Sequence, residues 1–178
     1  MIVGVTGFIG SGKDTIADYL CTFHGFKRLS FAGSLKDAIS SIFGWDREML
    51  EGTTKSSREW REQRDEWWSN RLNTEITPRY MLQLWGTEVC RNGFNQDIWV
   101  ASVENKLRKS TDNTVITDCR FPNELATIKN SGGITIRVER GPRPQWVADA
   151  MILNRSHIHD EKEIAKQNLL NQNVHASE

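Results

Sequence analysis

The stretch Ile2-Val3-Gly4-Val5-Thr6, followed by Gly7-Phe8-Ile9-Gly10-Ser11-Gly12-Lys13-Asp14-Thr15, sets the reading of the whole chain. Its first five residues are β-prone and nearly all apolar, which suits a strand buried on both faces of a parallel sheet. Glycines at 7, 10 and 12 let the backbone curl so that successive N–H groups converge on an anion, and the following helix turns its positive end toward the same point. Lys13 adds a mobile cation for the β and γ oxygens of a nucleoside triphosphate. Beyond the loop, Ile16, Ala17, Tyr19, Leu20 and Phe23 recur at helical spacing, and Gly25 stands where a helix stops. Strand, phosphate-binding loop and helix in this order predict an ATP site in which Gly7, Gly10, Ser11, Gly12, Lys13, Asp14 and Thr15 cradle the phosphates.

The loop departs from the usual motif at one position. Asp14 follows Lys13 where a Ser or Thr normally touches magnesium, and Thr15 comes next. The magnesium contact is assigned to Thr15 and Asp14 together. The equal alternative for Asp14 is a helix-start carboxylate that satisfies the helix dipole.

The pattern continues outward as strands alternating with helices. Residues 26–31 read as a second strand and 32–43 as an amphipathic helix carrying Leu35, Ala38, Ile39, Ile42 and Phe43 on one side. Residues 55–66 are charge-dense, with Arg58/Glu62 and Arg61/Asp65 four apart, and predict one solvated helix. Thr77-Pro78 is a good helix start, and Gly86 interrupts or ends that helix. A helix over 98–107, a strand over 115–117, a helix over 123–130 and a strand over 134–138 complete the series. Such alternation argues for a three-layer α/β/α domain with a mostly parallel sheet and its ligands at the carboxyl ends of the strands. A single domain over 1–178 is expected, with a helical insertion over about 45–110 and a polar segment over 145–178 that is helical at 164–170.

Bulk properties narrow the function. Lys plus Arg and Asp plus Glu both number 23, and the pI is near 6.9, so there is none of the broad positive field that a nucleic-acid polymer requires. No apolar run approaches membrane-spanning length. Three widely spaced cysteines suggest neither a disulfide framework nor a zinc site, and a reducing cytoplasm is expected. Most of the seven tryptophans are read as core. His157 and His159 lack the further ligands of a metal site, and Cys119 reads as a packing residue.

Three further segments carry chemistry: Pro78-Arg79 through Gln83, Gly86-Thr-Glu88 with Arg91, and Asp118-Cys-Arg-Phe-Pro-Asn-Glu124. Together with Gly-Ser-Gly-Lys-Asp-Thr at 10–15 and Ser30-Phe-Ala32 before Leu35-Lys36, they make the chain resemble the bacteriophage deoxynucleoside monophosphate kinases over most of residues 1–140. The resemblance implies a P-loop kinase fold with a helical substrate or lid insertion. It also implies ATP and magnesium as cofactors, a deoxynucleoside monophosphate as acceptor, and work in the host cytoplasm as a monomer or homodimer.

On this reading Lys13, Arg91 and Arg120 are the catalytic cations, since guanidinium groups fork onto phosphate and stay charged. Asp118, at a strand's carboxyl end, holds magnesium through water or orients Arg120. Phe31, Arg79, Gln83, Trp85, Arg91, Arg120 and Glu124 frame the acceptor, with Trp85 or Trp99 near the 2′ position. Arg61 and Arg64 lie on a helix that could close over the nucleotide. His175–Glu178 resembles a segment that similar proteins follow with a further strand and helix.

Two other readings stay open. The first thirteen residues are also similar to dephospho-coenzyme A kinase, although the second strand here lacks that family's acidic pair. A nucleotide-dependent switch without an acceptor is the other, with Trp60, Trp67 and Trp68 as a partner surface.

Overall fold

The computed structural model describes residues 1–8, 10–142, 146–155 and 164–169. Four strands, β1 (Ile2–Thr6), β2 (Lys27–Leu29), β3 (Thr114–Ile116) and β4 (Ile134–Arg137), form one sheet in the order β2-β3-β1-β4. Every pairing is parallel: Val3 lies opposite Val115 and Ile134, and Arg28 opposite Val115. The sheet is thus wholly parallel among the described residues. It brings the segments after β1, β2 and β3 to one edge, where an open α/β sheet binds its ligands.

β1 occupies the middle because both of its faces are apolar. Val3, Val5 and Val115 pack with Ala17 of α1 (Lys13–His24) on one side. Ile116 and Cys119 join Ile128 of α8 (Pro122–Asn130), Val100 and Val103 of α7 (Ile98–Leu107), and Leu35 and Ile39 of α2 (Gly33–Phe43) in the other cluster. Gly4 faces that second layer, and a Cβ there would fall 2.4 Å from Ile128 Cδ1, so α8 lies directly on the strand. This is the three-layer arrangement expected from the alternation of elements.

The helical insertion contains α3 (Arg47–Glu51), α4 (Lys55–Glu62), α5 (Glu66–Leu72), α6 (Pro78–Gln83), a π-helical stretch over Leu84–Asn92, and α7. Short polar side chains cap its starts: Asp46 for α3, Thr54 with Ser57 in a capping box for α4, Asp65 for α5 and Thr77 for α6. Each such cap stabilises a helix by about 1 kcal/mol. The single helix expected over 55–66 is two helices. Gln63 is extended, and Asp65 spends its carboxylate on the Trp68 amide at 3.0 Å and the Trp45 indole at 2.7 Å, not on Arg61.

Trp45 stacks on Phe43 at 4.5 Å and meets Trp60 edge-on, while Trp68 and Trp85 approach Phe43 by their edges. Trp45 and Trp99 are buried and Trp60, Trp68 and Trp85 are partly so, which leaves Trp67 as the exposed member of the insertion. The aromatic surface that a switch protein would need is mostly spent on packing.

The helix begun at Pro78 does not stop at Gly86; it widens. Met81, Gly86 and Arg91 are buried and stand five apart, the hydrogen-bond spacing of a π-helix. Gly86 is pressed against α2, where a Cβ would sit 2.9 Å from Leu35 Cδ2, and its carbonyl accepts the Trp99 indole N–H at 2.9 Å.

The chain divides into two compact units, Met1–Val138 and Glu139–Glu178. The second contains α9 (Trp146–Arg155) and a helical stretch at 164–169, with Asn168 Nδ2 donating to Asp149 Oδ1 at 3.0 Å. His157, His159 and the segment 175–178 lie outside the described residues. Among the described residues, no helix is long and apolar enough to cross a membrane.

Candidate active site

The loop after β1 has the backbone its glycines predict. Gly7, Gly10 and Gly12 adopt φ values of 151°, 78° and 99°, all disfavoured for other residues. Gly7 is also tightly confined: a Cβ would lie 2.3 Å from the Val138 carbonyl oxygen and 2.8 Å from Ser11 Oγ. Gly7→Ala is therefore expected to cost about 1–3 kcal/mol, read as a lowered midpoint in thermal unfolding. An unchanged midpoint would show that the loop has another shape.

α1 begins at Lys13 with Gly12 as its N-cap, and no side chain caps it among the described residues. Ser11 is buried, and its Oγ has no hydrogen-bond partner among the described residues. An uncapped helix start beside an orphaned buried hydroxyl is a polar cradle that an anion completes. Lys13 Nζ donates to the Phe8 carbonyl at 2.8 Å, so the cation lies along the loop it serves.

Asp14 points away from the cradle. Its Oδ1 accepts from Thr117 Oγ1 at 3.2 Å and lies 3.3 Å from Arg28 Nη2, which also reaches Asp18. This pairing offsets the charge that would repel a triphosphate. Thr15 is exposed at the same helix start. Among the described residues no three His, Cys, Asp or Glu side chains gather as a metal site.

The segment after β3 is organised by two carboxylates. Asp118, expected at magnesium or Arg120, instead turns to the turn after β2: Oδ1 accepts from the Phe31 amide at 3.1 Å, and Oδ2 from Ser30 Oγ at 2.6 Å and the Ala32 amide at 2.9 Å. The two loops are thereby tied together at the sheet edge. Glu124, expected on base or sugar, is 2 % exposed. It accepts from the Arg120 amide at 2.7 Å, the Phe121 amide at 3.1 Å and the Arg91 guanidinium.

Arg91, expected on phosphate, is 5 % exposed and lies over the Phe121 ring at 4.0 Å, with Nη1 on the Gln96 carbonyl at 3.2 Å. Burial pushes the Glu124 carboxyl above its usual range, against the opposing pull of the two amides and Arg91. Arg91 and Glu124 thus form a buried brace beneath the loop that carries Arg120.

Arg120 itself is exposed at the carboxyl end of the sheet. Arg79 is half-buried in the first turn of α6, with Nε 4.0 Å from Glu62. Gln83 is half-buried one turn on, at the junction with the π stretch. Phe31 is 2 % exposed and belongs to the core, so its ring is not offered to a base. Trp85 packs against Phe43, and Trp99 is held inward by its bond to Gly86. Cys119 is buried, and burial followed by Asp118 and Glu124 pushes its thiol up to about 12, which suits packing and not nucleophilic attack.

Two participants were harder to read. Ser30 anchors Asp118, and its only signal was its place before Phe31-Ala32. Arg61 has a shielded Nε without a hydrogen-bond partner among the described residues, and nothing in a charge-dense helix distinguishes it from Arg58 or Arg64.

The comparisons with known proteins agree with one another. A family model described as "Deoxynucleotide monophosphate kinase" matches residues 49–162. A protein of Acanthamoeba polyphaga mimivirus, provisionally named a deoxynucleotide monophosphate kinase, is 34% identical over 154 residues, covering 79% of this chain and 74% of that one. The deoxynucleoside-5′-monophosphate kinase of Escherichia phage T5 is 30% identical, covering 70% of each. The crystal structure of TT1252 from Thermus thermophilus superposes with a TM-score of 0.42 at 19% identity, covering 94% of this chain and 78% of that one. That likeness is too partial to bear on function.

Proposed function

The chain belongs to the deoxynucleotide monophosphate kinase family, and on that premise we propose that it transfers the γ-phosphoryl group of ATP to a deoxynucleoside 5′-monophosphate, giving ADP and the diphosphate. The observation that carries this reading is the family match over 49–162, which covers most of the insertion and the Asp118–Glu124 segment and lies wholly outside the widely shared phosphate loop. It also sets aside the coenzyme A precursor and the acceptor-free switch.

Phosphoryl transfer asks little covalent chemistry of a protein; it asks for in-line placement and positive charge around the equatorial oxygens. The Gly7–Thr15 cradle takes the ATP phosphates, with the amides of the α1 start and the Ser11 hydroxyl as donors and Lys13 as the moving cation. Magnesium would arrive with the nucleotide and keep much of its water, touched by Thr15 and not by Asp14, whose carboxylate is engaged by Thr117 and Arg28, and would neutralise charge on the phosphates. Arg120 faces the transferring group from the end of β3, held in place through its own amide by Glu124. Arg79 and Gln83 line the acceptor side. Closure of the insertion excludes water, which would otherwise accept the phosphoryl group.

The test is ADP formation with and without each common deoxy- and ribonucleoside monophosphate. Turnover that requires a deoxynucleotide is the expected result; equal turnover without any acceptor would refute the reading.

A further inference from the structure

Asp14 stands in the first turn of α1, where a carboxylate favours the helix dipole, and it directly follows Lys13 of the phosphate cradle. The charge that suits the helix also repels a triphosphate. Arg28 is the cation that meets it. Leu29 packs with the α2 layer, so the residue before it in β2 turns to the opposite face of the sheet, the one that α1 covers. There Arg28 Nη2 donates to the Asp14 carbonyl at 3.2 Å and lies 3.3 Å from both Asp14 Oδ1 and Asp18 Oδ1. Thr117 Oγ1, just past β3, donates to Asp14 Oδ1 at 3.2 Å.

Asp14 and Asp18 are like charges four apart, a spacing that disfavours a helix unless a cation lies between them. One guanidinium thus answers two carboxylates and a carbonyl at the start of α1. The Asp14 side chain is 71% exposed, and exposed pairs contribute little to stability. The consequence falls instead on a multiply charged anion bound at the neighbouring loop.

We propose that Arg28 is a positioning residue of the donor site: it turns the Asp14 carboxylate from the cradle and offsets its charge, so that a loop with an acid beside its lysine still accepts the phosphates of ATP. This rests on the reading of Gly7–Thr15 as the ATP cradle and adds to it a residue outside the loop. Arg28 acts through Asp14 and touches no phosphate itself.

The test measures the Kd of ATP by calorimetry on the full chain in EDTA and low salt, where no turnover enters the signal. Arg28→Gln should weaken binding roughly threefold to tenfold while unfolding within about 4 °C of wild type. Asp14→Asn should bind as tightly as wild type or more tightly. Arg28→Gln combined with Asp14→Asn, which restores the local charge balance, should return the Kd to within about twofold of wild type. The loss in Arg28→Gln should shrink when magnesium takes up phosphate charge, and again at about 1 M salt.

A Kd in Arg28→Gln equal to that of wild type overturns the proposal. So does a loss that persists in the double variant, which would place Arg28 on the nucleotide or in the fold. Weaker binding in Asp14→Asn alone would make that carboxylate a contributor to ATP binding, and it overturns the proposal even if Arg28→Gln does not fold. Failure of the kinase reading is seen separately, as wild-type protein that binds ATP in this assay yet forms no ADP in response to an acceptor. No ATP binding by wild type with or without magnesium overturns both.

Discussion

Replacing Lys13 with alanine is expected to lower kcat by roughly two to three orders of magnitude while leaving the fold intact. The side chain follows the loop and donates to the Phe8 carbonyl at 2.8 Å, and it is not part of either apolar cluster. Its removal takes a cation from the donor phosphates at the point where charge shifts during transfer. The effect should fall mainly on kcat, with little change in the KM for the acceptor, since an interaction made chiefly in the transition state changes turnover more than binding. Circular dichroism and thermal unfolding alongside steady-state rates check this. A variant with near-normal kcat would remove Lys13, and with it the loop, from the chemistry.

The second large effect concerns stability. Arg91→Ala leaves the Glu124 carboxylate buried with its cation gone, and breaking a buried pair from one side costs about 3–5 kcal/mol. Urea unfolding should show this loss, and activity should fall with it, because Glu124 holds the amides of Arg120 and Phe121. Arg91→Met combined with Glu124→Gln should recover much of the stability, since neither partner is then an uncompensated charge. A single variant within about 0.5 kcal/mol of wild type, as for ordinary surface substitutions, would mean that the brace does not exist.

The contrast between Lys13 and Arg91 shows which parts of this molecule can be read from sequence. The β1–α1 unit is legible because every signal in it is local: an apolar run, three glycines with enforced backbone angles, then apolar residues at helical spacing. The parallel sheet follows from the alternation of elements. Arg91 is different. At an α-helical spacing it reads as a residue beside a helix facing substrate. The π stretch, in which Gly86 lies close against Leu35, spaces buried positions five apart and turns Arg91 inward onto Glu124.

The same holds for Asp118 and Phe31. One is a carboxylate at a strand end and the other an aromatic before a helix, and both types of residue often serve ligands. Here the tertiary pairing of the two loops turns Asp118 toward the Phe31 and Ala32 amides and packs the Phe31 ring into the core. The break between α4 and α5 was hidden for a similar reason. The partner that draws Asp65 from the helix is Trp45, twenty residues away. Family membership and phosphate chemistry are thus visible in linear motifs, whereas the division of arginines into bracing and substrate-facing ones depends on contacts between distant segments.

The central claim is that phosphate leaves ATP for a deoxynucleotide and not for water. It is tested most directly by incubating the full chain with ATP labelled at the γ-phosphate, magnesium and each deoxynucleoside monophosphate, then separating the products. The account predicts label in a deoxynucleoside diphosphate, formed in step with ADP and slowed by roughly two to three orders of magnitude with Lys13→Ala. Label recovered only as inorganic phosphate, at a rate indifferent to the acceptor, would contradict it.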